Sequence, residues 1–261
     1  MSEKEMFDYE GYKIPVELVN LTGGGTETWH MISTGHMDEY KKYLPIDPNH
    51  AILEIGCGVG RDAIQLTKHL SEGGSYIGID IIEPSIKWCQ KNITPRFPNF
   101  KFLFFDIKSQ IHNSSGKIKT TDIRLPIEDN SIDIIILQSV FTHMFEADIV
   151  HYLKEFSRVL RSGGKVFTSF FIFDEETLQM AQKNKLGSHQ VTLTFEYPYG
   201  DGCRINDENY PEGAVAYTRE ALNRMLRKSS LVLDQPIHLG HWCGREGVPD
   251  GQDIVIMKKL T

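Results

Sequence analysis

The fold is decided by Ile52-Leu53-Glu54-Ile55-Gly56-Cys57-Gly58-Val59-Gly60-Arg61-Asp62, within a chain of 261 residues. An apolar run, three glycines at alternate positions and a helical pattern predict a strand, a tight turn and a helix. Because glycine has no Cβ, the backbone can turn sharply here and approach a ligand closely. The helix is expected to begin near Gly60 and to end at Gly73-Gly74. Its unpaired N–H groups and positive dipole end would then face an anionic group at the turn.

The glycine spacing separates two classes of nucleotide ligand. A dinucleotide fingerprint requires G-x-G-x-x-G/A, in which the third small residue lets the helix pack on the strand. Here the spacing is G-x-G-x-G, and Arg61 stands where the small residue is needed, which argues against NAD(P). With Glu54 in front, E-x-G-x-G-x-G resembles motif I of the class I S-adenosylmethionine (SAM)-dependent methyltransferases.

Two acidic residues follow predicted strands behind this turn. Asp80 ends the apolar run Ser75–Asp80, where a carboxylate can accept both hydroxyls of a ribose. Asp106 closes a third run at 100–105, and the resemblance implies that it reaches the adenine amino group. The structural alternatives are a helix N-cap for Asp80 and a loop acid for Asp106. The predicted SAM-binding residues are Glu54, Gly56, Cys57, Gly58, Gly60, Arg61, Asp80, Ile81, Asp106, Ile107, Gln138 and Ser139.

The resemblance covers residues 51–173 well and implies an α/β fold. Its sheet would be Rossmann-like, with seven mostly parallel strands, an antiparallel last strand and helices on both faces. Residues 1–50 are expected to form an N-terminal lid, or else a helix that simply packs beside the domain. Residues 51–261 would be the methyltransferase domain. Its insert at 174–216 would cover the acceptor molecule.

Histidines are the candidates for the catalytic base: His143 first, His241 second, and His30 or His36 third. His143 follows the predicted fourth strand at 131–137, and His241 lies in the linker between the last two strands. Histidine titrates near neutrality, so it suits removal of a proton from a hydroxyl during methyl transfer. The alternative for His143 is a capping or core histidine. No aspartates have the spacing of metal ligands, so no metal is predicted.

The composition of the chain argues against two classes of partner, nucleic acids and membranes. The formal charge of −7 argues against a nucleic-acid substrate, and no run of about eighteen apolar residues predicts a membrane span. The charged start of the chain lacks a signal-peptide core, so a cytoplasmic location is expected. The protein is expected to be a monomer or a homodimer. The four cysteines are far apart, so no zinc or redox motif is expected.

The acceptor is predicted to be a small molecule. The [N/D]-P-P-[Y/F] turn of nucleobase amino methyltransferases is replaced by Gln138-Ser139-Val140-Phe141. The segments S-V-F-T-H-M, R-V-L-R-S-G-G-K, W-C-G-R and G-Q-D-I-V-I resemble a bacterial methyltransferase subgroup associated with glycan assembly. This favours O-methylation of a sugar. The alternatives are O- or N-methylation of another small polar metabolite, a SAM-binding protein without catalysis, and an NAD(P)-dependent oxidoreductase. Aromatic and amide residues in the flanks suit a sugar face, or could simply pack: Trp29, Tyr197, Tyr199, Asn206, Tyr210 and Trp242.

Overall fold

The computed structural model describes residues 5–188, 191–248 and 251–260. The chain divides into two compact units, Met1–Ile107 and Lys108–Thr261. The first unit contains, in chain order, β1 (Met6–Tyr9), β2 (Tyr12–Pro15), α1 (Val16–Leu21), α2 (Gly25–Tyr43), β3 (Ala51–Ile55), α3 (Arg61–Leu66), β4 (Ser75–Asp80), α4 (Glu83–Asn92) and β5 (Phe100–Phe104).

The second unit contains the rest of the elements. They are β6 (Ile132–Leu137), α5 (Glu146–Val159), β7 (Leu160–Phe170), α6 (Glu175–Asn184), β8 (Gly187–Ser188), β9 (Val191–Thr192), β10 (Tyr197–Pro198), β11 (Cys203–Ile205), β12 (Val215–Tyr217), α7 (Arg219–Arg227), β13 (Leu231–Leu233) and β14 (Asp253–Lys259). Short 3₁₀ helices lie at Thr120–Asp122, Phe141–His143 and Pro211–Gly213.

The main sheet has seven strands in the order β13-β14-β7-β6-β3-β4-β5. Strands β3, β4 and β5 are parallel to one another, as are β6 and β7. The last strand, β14, is antiparallel to both of its neighbours, β7 and β13. The predicted α/β fold, with a mostly parallel seven-stranded sheet and an antiparallel last strand, is confirmed. Parallel strands are covered on both faces, which explains why β3 and β6 are nearly continuous apolar runs.

The N-terminal segment before β3 contains regular elements of its own. Strands β1 and β2 form an antiparallel hairpin, and α1 and α2 follow it. The glycines between the two helices form a turn, since Gly23 and Gly24 have φ angles of 87° and 82°. Positive φ strains residues with a Cβ, so glycine is required to reverse the chain here.

Three predicted elements are shorter in the structure. Helix α3 ends at Leu66 rather than at Gly73-Gly74, because the Thr67 hydroxyl donates back to the Ile64 carbonyl and competes with helical bonding. The alternating apolar residues at 191–199 predict a strand, but this stretch is divided into β9 and β10. The stretch 231–239 also predicts a strand, but β13 ends at Leu233, and the Asp234 and His238 amides then donate to the Ile256 and Ile254 carbonyls of β14.

A separate apolar cluster stabilises the predicted insert within the second unit. It joins side chains that follow β7, side chains of α6 and of the insert, and the Trp242-Cys243 pair near the end of the chain. Its buried members are Phe171, Leu178, Ala181, Phe195, Ala214, Ala216, Trp242 and Cys243. In the described ranges, no helix is both long enough and apolar enough to cross a membrane.

Candidate active site

The glycine turn is held by hydrogen bonds within the first unit. The amides of Gly56 and Cys57 both donate to the Ile79 carbonyl, at 2.8 and 3.2 Å, and so attach the turn to β4. Gly58 and Gly60 have φ angles of 54° and 83°, a region that side chains with a Cβ rarely adopt. The turn therefore needs its glycines for backbone conformation as well as for close approach.

The amides of the turn itself donate to acceptors within the protein. Gly58 N–H donates to Asp80 Oδ2 at 2.7 Å, and Val59 N–H donates to Thr22 Oγ1 at 3.1 Å. Gly60 N–H donates to the Cys57 carbonyl at 2.9 Å. Since α3 has only six residues, its dipole is also short.

Asp80 lies at the end of β4 with its carboxylate against the turn. It accepts from Gly58 N–H at 2.7 Å and from Ile82 N–H at 2.8 Å, and it is 7% exposed. Burial raises the pKa of Asp80, although hydrogen bonds from the backbone amides of Gly58, Ile82 and Ile81 act to lower it. Each carboxylate oxygen has two lone pairs, so Asp80 keeps acceptor capacity for a ribose diol.

Asp106 and Ile107 follow the end of β5, as Asp80 lies at the end of β4. Asp106 is half-buried, whereas Ile107 is buried and donates its N–H to the Phe105 carbonyl. Asp80 and Asp106 thus end successive parallel strands, β4 and β5. This is the arrangement that ligands of open α/β sheets use.

Glu54 and Cys57 are buried beneath the turn. Glu54 accepts a hydrogen bond from the Tyr76 hydroxyl. Burial raises the pKa of Glu54, and the nearby Asp62 carboxylate raises it further. Burial also raises the pKa of the Cys57 thiol. Both side chains therefore favour their neutral forms.

Arg61 joins the turn to the N-terminal helices. Its Nη1 donates to the Gly23 carbonyl at 3.0 Å, and its guanidinium carbon lies 5.2 Å from the ring centre of Trp29. Asp62, the next residue, accepts from His36 Nδ1 at 2.8 Å and from the Tyr40 hydroxyl at 2.7 Å. Residues of α2 are therefore attached directly to the start of α3.

In the second unit, Gln138 and Ser139 follow β6. Ser139 has a φ of 58°, which is unusual for a residue with a side chain. Its N–H donates to Ser169 Oγ at 2.8 Å, and its hydroxyl accepts from Gln252 Nε2 at 2.9 Å. Ser169 Oγ donates to Gln252 Oε1 at 2.6 Å, which closes a three-residue network. Strained backbone of this kind clusters at functional sites.

His143 is fixed by the insert. Its Nδ1 lies 2.9 Å from the Glu212 carbonyl oxygen. A carbonyl oxygen only accepts, so Nδ1 carries the proton and Nε2 of the neutral ring carries the lone pair. Burial lowers the pKa of His143; the bond to Glu212 opposes this shift, and the facing His112 imidazole adds to it.

His112 belongs to the same cluster. Its ring centre is 6.3 Å from that of His143, in an edge-to-face arrangement. The Glu212 carboxylate accepts from Gln110 N–H at 2.8 Å and from the Ser109 hydroxyl at 3.2 Å, and so holds the loop that carries His112. Burial lowers the pKa of His112 as well. At neutral pH both rings are therefore mainly uncharged.

Of the other predicted catalytic and sugar-binding residues, some are exposed and one is buried in the core. His241 is exposed in the segment between β13 and β14. Trp242 is buried, and its indole N–H donates to Asp253 Oδ2 at 2.8 Å, so it belongs to the core rather than to a sugar-binding face. Tyr199 and Tyr210 are 46% and 42% exposed and can contact a ligand.

The sequence patterns missed His112 and Glu212. The polar, glycine-broken stretch 109–121 follows a predicted strand, which suggests a wall of the acceptor pocket or a plain surface loop, but no motif marks its histidine. Glu212 holds His143 through a backbone carbonyl, which every residue has, so no sequence signal could identify it. In residues 5–188, 191–248 and 251–260, no three or more His, Cys, Asp or Glu side chains are arranged to hold a metal ion.

Comparison with known proteins places residues 53–168 in a family described as "Methyltransferase domain". Over 133 residues the chain is 27% identical to phosphoethanolamine N-methyltransferase 1 of Triticum aestivum, covering 50% of this chain and 24% of that protein. Over 160 residues it is 24% identical to demethylmenaquinone methyltransferase of Bacillus cereus, covering 61% of this chain and 57% of that protein. The chain thus spans less than two thirds of the length of these relatives.

A solved structure shares the fold. Geranyl diphosphate C-methyltransferase from Streptomyces coelicolor, in complex with Mg²⁺, geranyl diphosphate and S-adenosyl-L-homocysteine, has a TM-score of 0.54. It is 10% identical, and the match covers 88% of this chain and 79% of that chain. At this identity the likeness establishes the fold alone. Residues 53–168 thus match a methyltransferase domain, within a sheet that has the fold of known methyltransferase structures.

Proposed function

We propose that this protein transfers the methyl group of SAM to a hydroxyl of a small polar acceptor, with a sugar as the first candidate. The observation that carries the proposal is the bond from His143 Nδ1 to the Glu212 carbonyl. It leaves Nε2 of a neutral, mainly buried imidazole as a proton acceptor. A hydroxyl must lose a proton when it is methylated, whereas a neutral amine attacks through its own lone pair.

The cofactor would be held by the first unit. The donor set fits SAM, since Asp80 offers carboxylate oxygens to a ribose and Asp106 lies at the next strand end. In this proposal Ile81 and Ile107 of the first unit border the cofactor, and Gln138 and Ser139 stay predicted cofactor-binding residues.

The chain's own residues then position and deprotonate the acceptor. When bound, SAM supplies a methyl carbon made electrophilic by its sulfonium. His143 takes the proton that the acceptor hydroxyl loses as its oxygen becomes an ether. Glu212 holds the ring in the required tautomer, and Tyr199 and Tyr210, which are 46% and 42% exposed, would contact the acceptor. His241 remains the second candidate for the base.

The two flanking segments are proposed to cover the ligands. Residues 1–50 would be the lid of the cofactor, supported by the contacts of Thr22 with Val59 and of Gly23 with Arg61. The insert at 174–216 would cover the acceptor, supported by the contact of Glu212 with His143. Closing segments of this kind exclude water from the reaction.

The relatives support a second candidate acceptor class. Their names give phosphoethanolamine, demethylmenaquinone and geranyl diphosphate as acceptors, and none of these is a sugar. Another small metabolite, methylated on oxygen or nitrogen, is therefore the alternative. A SAM-binding protein without catalysis is the other alternative.

The test is transfer of labelled methyl from SAM into fractionated cell extract, with products sorted by class. Label in nucleotide sugars or glycan that survives mild base, as an ether does, supports the proposal. Label in lipid, protein or amines discards the sugar. Absence of label, with S-adenosylhomocysteine still bound, supports the non-catalytic alternative.

The role of His143 is tested in the same assay. His143→Ala should bind S-adenosylhomocysteine normally and lose at least about a hundredfold in transfer rate, as expected for loss of a general base. His241→Ala tests the second candidate for the base and should keep its rate if His143 is the base. Transfer by wild type should decline only below about pH 6.5, the ordinary histidine pKa, because burial lowers the pKa of His143. Undiminished transfer by His143→Ala would remove this residue from the mechanism.

A further inference from the structure

Ser139 is an exposed residue with a strained backbone just after the carboxyl end of β6. Its φ of 58° lies in the left-handed region, which is disfavoured for residues with a Cβ. Strained residues persist only where the surrounding structure holds them in place. Because Ser139 is exposed, packing contributes little, and hydrogen bonds from other segments must supply most of this restraint.

The side chain of Gln252 supplies these hydrogen bonds. Its Nε2 donates to Ser139 Oγ at 2.9 Å, and its Oε1 accepts from Ser169 Oγ at 2.6 Å. Ser169 Oγ in turn accepts from the Ser139 N–H at 2.8 Å. One amide group therefore holds the Ser139 side chain directly and the Ser139 backbone through a single hydroxyl.

Gln252 is itself held rigidly, because it directly precedes β14. The next residue, Asp253, is 0% exposed, and its carboxylate accepts from the Ile172 and Gly240 amides at 2.6 and 2.8 Å. In the sheet, β14 lies next to β7 and β7 lies next to β6. Since β14 is antiparallel to β7, its start and the ends of β7 and β6 share one edge of the sheet. The Gln252 side chain spans this edge.

Ser139 directs the segment that carries His143. Val140 follows Ser139 immediately, and its carbonyl accepts from the His143 N–H at 3.0 Å. Ser139 Oγ also lies 3.4 Å from Thr142 Oγ1. A change in the φ angle of Ser139 would therefore move the His143 ring away from the Glu212 carbonyl, which holds its Nδ1 at 2.9 Å.

We propose that Gln252 is a positioning residue for methyl transfer. By holding Ser139 in the left-handed conformation, it places His143 so that Nε2 of the ring can take the proton of the acceptor. This inference rests on the transfer to a hydroxyl proposed above. Gln252 acts through Ser139 and Ser169 rather than on the acceptor itself, so the G-Q-D segment near the end of the chain contributes to the active site from a distance.

The first test is the rate of methyl transfer into the extract fraction that wild type labels. Gln252→Ala should lower this rate at least about tenfold, which is part of the loss expected when a general base is removed altogether. Gln90→Ala is the matched control, since it removes another glutamine amide, which donates to the Phe102 carbonyl at 2.8 Å. Its rate should equal that of wild type.

Substitutions of Ser139 separate positioning from any other role of Gln252. Ser139→Ala and Ser139→Gly lose the same hydroxyl, but only glycine adopts a φ of 58° without strain. Ser139→Gly should therefore transfer methyl about tenfold faster than Ser139→Ala, as the left-handed penalty of a Cβ implies. This comparison also carries the test if Gln252→Ala does not fold.

The double variant completes the cycle. Adding Gln252→Ala to Ser139→Gly should slow transfer less than about threefold, because glycine keeps the left-handed conformation without the amide. The same substitution beside the native serine costs at least about tenfold in this proposal.

Nuclear magnetic resonance reports the position of His143 without any acceptor. The Nδ1 proton, bonded to the Glu212 carbonyl, should give a slowly exchanging resonance in wild type at neutral pH. Its absence from His143→Ala assigns it. The resonance should be lost in Gln252→Ala and should return in the double variant Ser139→Gly/Gln252→Ala.

Each contrary result has a distinct meaning. If Gln252→Ala keeps both the wild-type rate and the Nδ1 resonance, Gln252 does not position His143. A double variant as slow as Gln252→Ala would show that the amide does not act through the Ser139 backbone, and it would overturn the inference as well. Wild type that labels no fraction overturns the proposed function, and with it the catalytic meaning of Gln252, even if the resonance responds as expected.

Discussion

At the scale of single residues, burial changes the chemistry of Glu54. The side chain is 4% exposed, and its carboxyl accepts from the Tyr76 hydroxyl. Burial and the nearby Asp62 carboxylate both raise the pKa of Glu54. A raised pKa in the folded state contributes stability below the unfolded pKa of about 4.3, and that stability is lost as pH rises. Ionisation of Glu54 therefore lowers the stability of the folded protein at neutral pH.

We predict that Glu54→Gln stabilises the protein without ligand at pH 8 and has little effect near pH 4. Glutamine keeps an oxygen for the Tyr76 hydroxyl and has no charge to bury. The melting temperatures of both proteins should therefore diverge as pH rises. Glu72→Gln, at an exposed position, is the control and should change neither value. A variant less stable at pH 8 would contradict the raised pKa.

At the scale of elements, charged side chains join α5 to α7. Arg224 Nη2 and Lys228 Nζ each donate to Glu146 at 2.8 Å, and Arg224 Nη1 donates to Asp201 at 2.9 Å. The hydrogen bond from Arg224 lowers the pKa of Glu146 to about 2, although partial burial opposes this. The pairing stabilises the second unit above the unfolded pKa of about 4.3, and the effect is lost as pH falls towards 2.

We predict that Arg224→Gln lowers the free energy of unfolding by about 1 kcal/mol at pH 7, the upper range for a partly exposed pair. The difference from wild type should shrink between pH 4.3 and 2, because protonated Glu146 no longer benefits from the arginine. Urea unfolding across this range measures it. Arg227→Gln makes the same change on the same helix, at an exposed position without an ion pair among the described residues, and should be neutral. A pH-independent difference would show that the loss is one of packing.

Asp253 holds three segments together at the start of β14. Its carboxylate accepts from the Ile172 amide at 2.6 Å, the Gly240 amide at 2.8 Å and the Trp242 indole at 2.8 Å. The side chain is 0% exposed. The W-C-G-R and G-Q-D segments therefore meet at one buried carboxylate, which fixes the loop before β14 against the exit from β7.

We predict that Asp253→Asn lowers the free energy of unfolding by about 3 kcal/mol, because an amide N–H₂ must face donors that then stay unpaired. Chemical denaturation measures the loss. Asp207→Asn is the control, since exposed Asp207 uses one oxygen to accept from the Asn209 amide and asparagine can do the same. Equal stability of wild type and Asp253→Asn would mean that the carboxylate is not the organising group.

At the scale of the whole molecule, cofactor binding is linked to stability. A ligand that binds only the folded state stabilises it by about 2.7 kcal/mol at a hundred times its dissociation constant. We predict that S-adenosylhomocysteine raises the melting temperature by several degrees, whereas NADH does not. Asp80→Ala should abolish the shift, because the ribose loses its carboxylate. Stabilisation by NADH, or an unchanged shift in Asp80→Ala, would contradict the assignment of this turn.

Much of the structure of the first unit, Met1–Ile107, could be predicted from local sequence patterns. Strand, turn and acid recur over short stretches, and the glycine conformations, the Asp80 position and the parallel strands depend on residues close in sequence. The end of α3 does not follow in this way, because the Thr67 hydroxyl competes with the helix that periodicity predicts. The strand predicted at 191–199 fails because Asn206 bonds to Thr192, Thr194 and Phe195 backbone atoms and holds them in a loop.

The sequence by itself determined the fold class and favoured SAM over NAD(P), since both inferences depend on backbone geometry and glycine spacing that local pattern encodes. Only the tertiary structure decided which groups meet His143, because Glu212 lies 69 residues away in the chain and acts through a carbonyl. The same is true of the hydrogen bond between Gln252 and Ser139, 113 positions apart. Pairing and burial are properties of the packed molecule, because the free energy of a polar group depends on which partners replace its water.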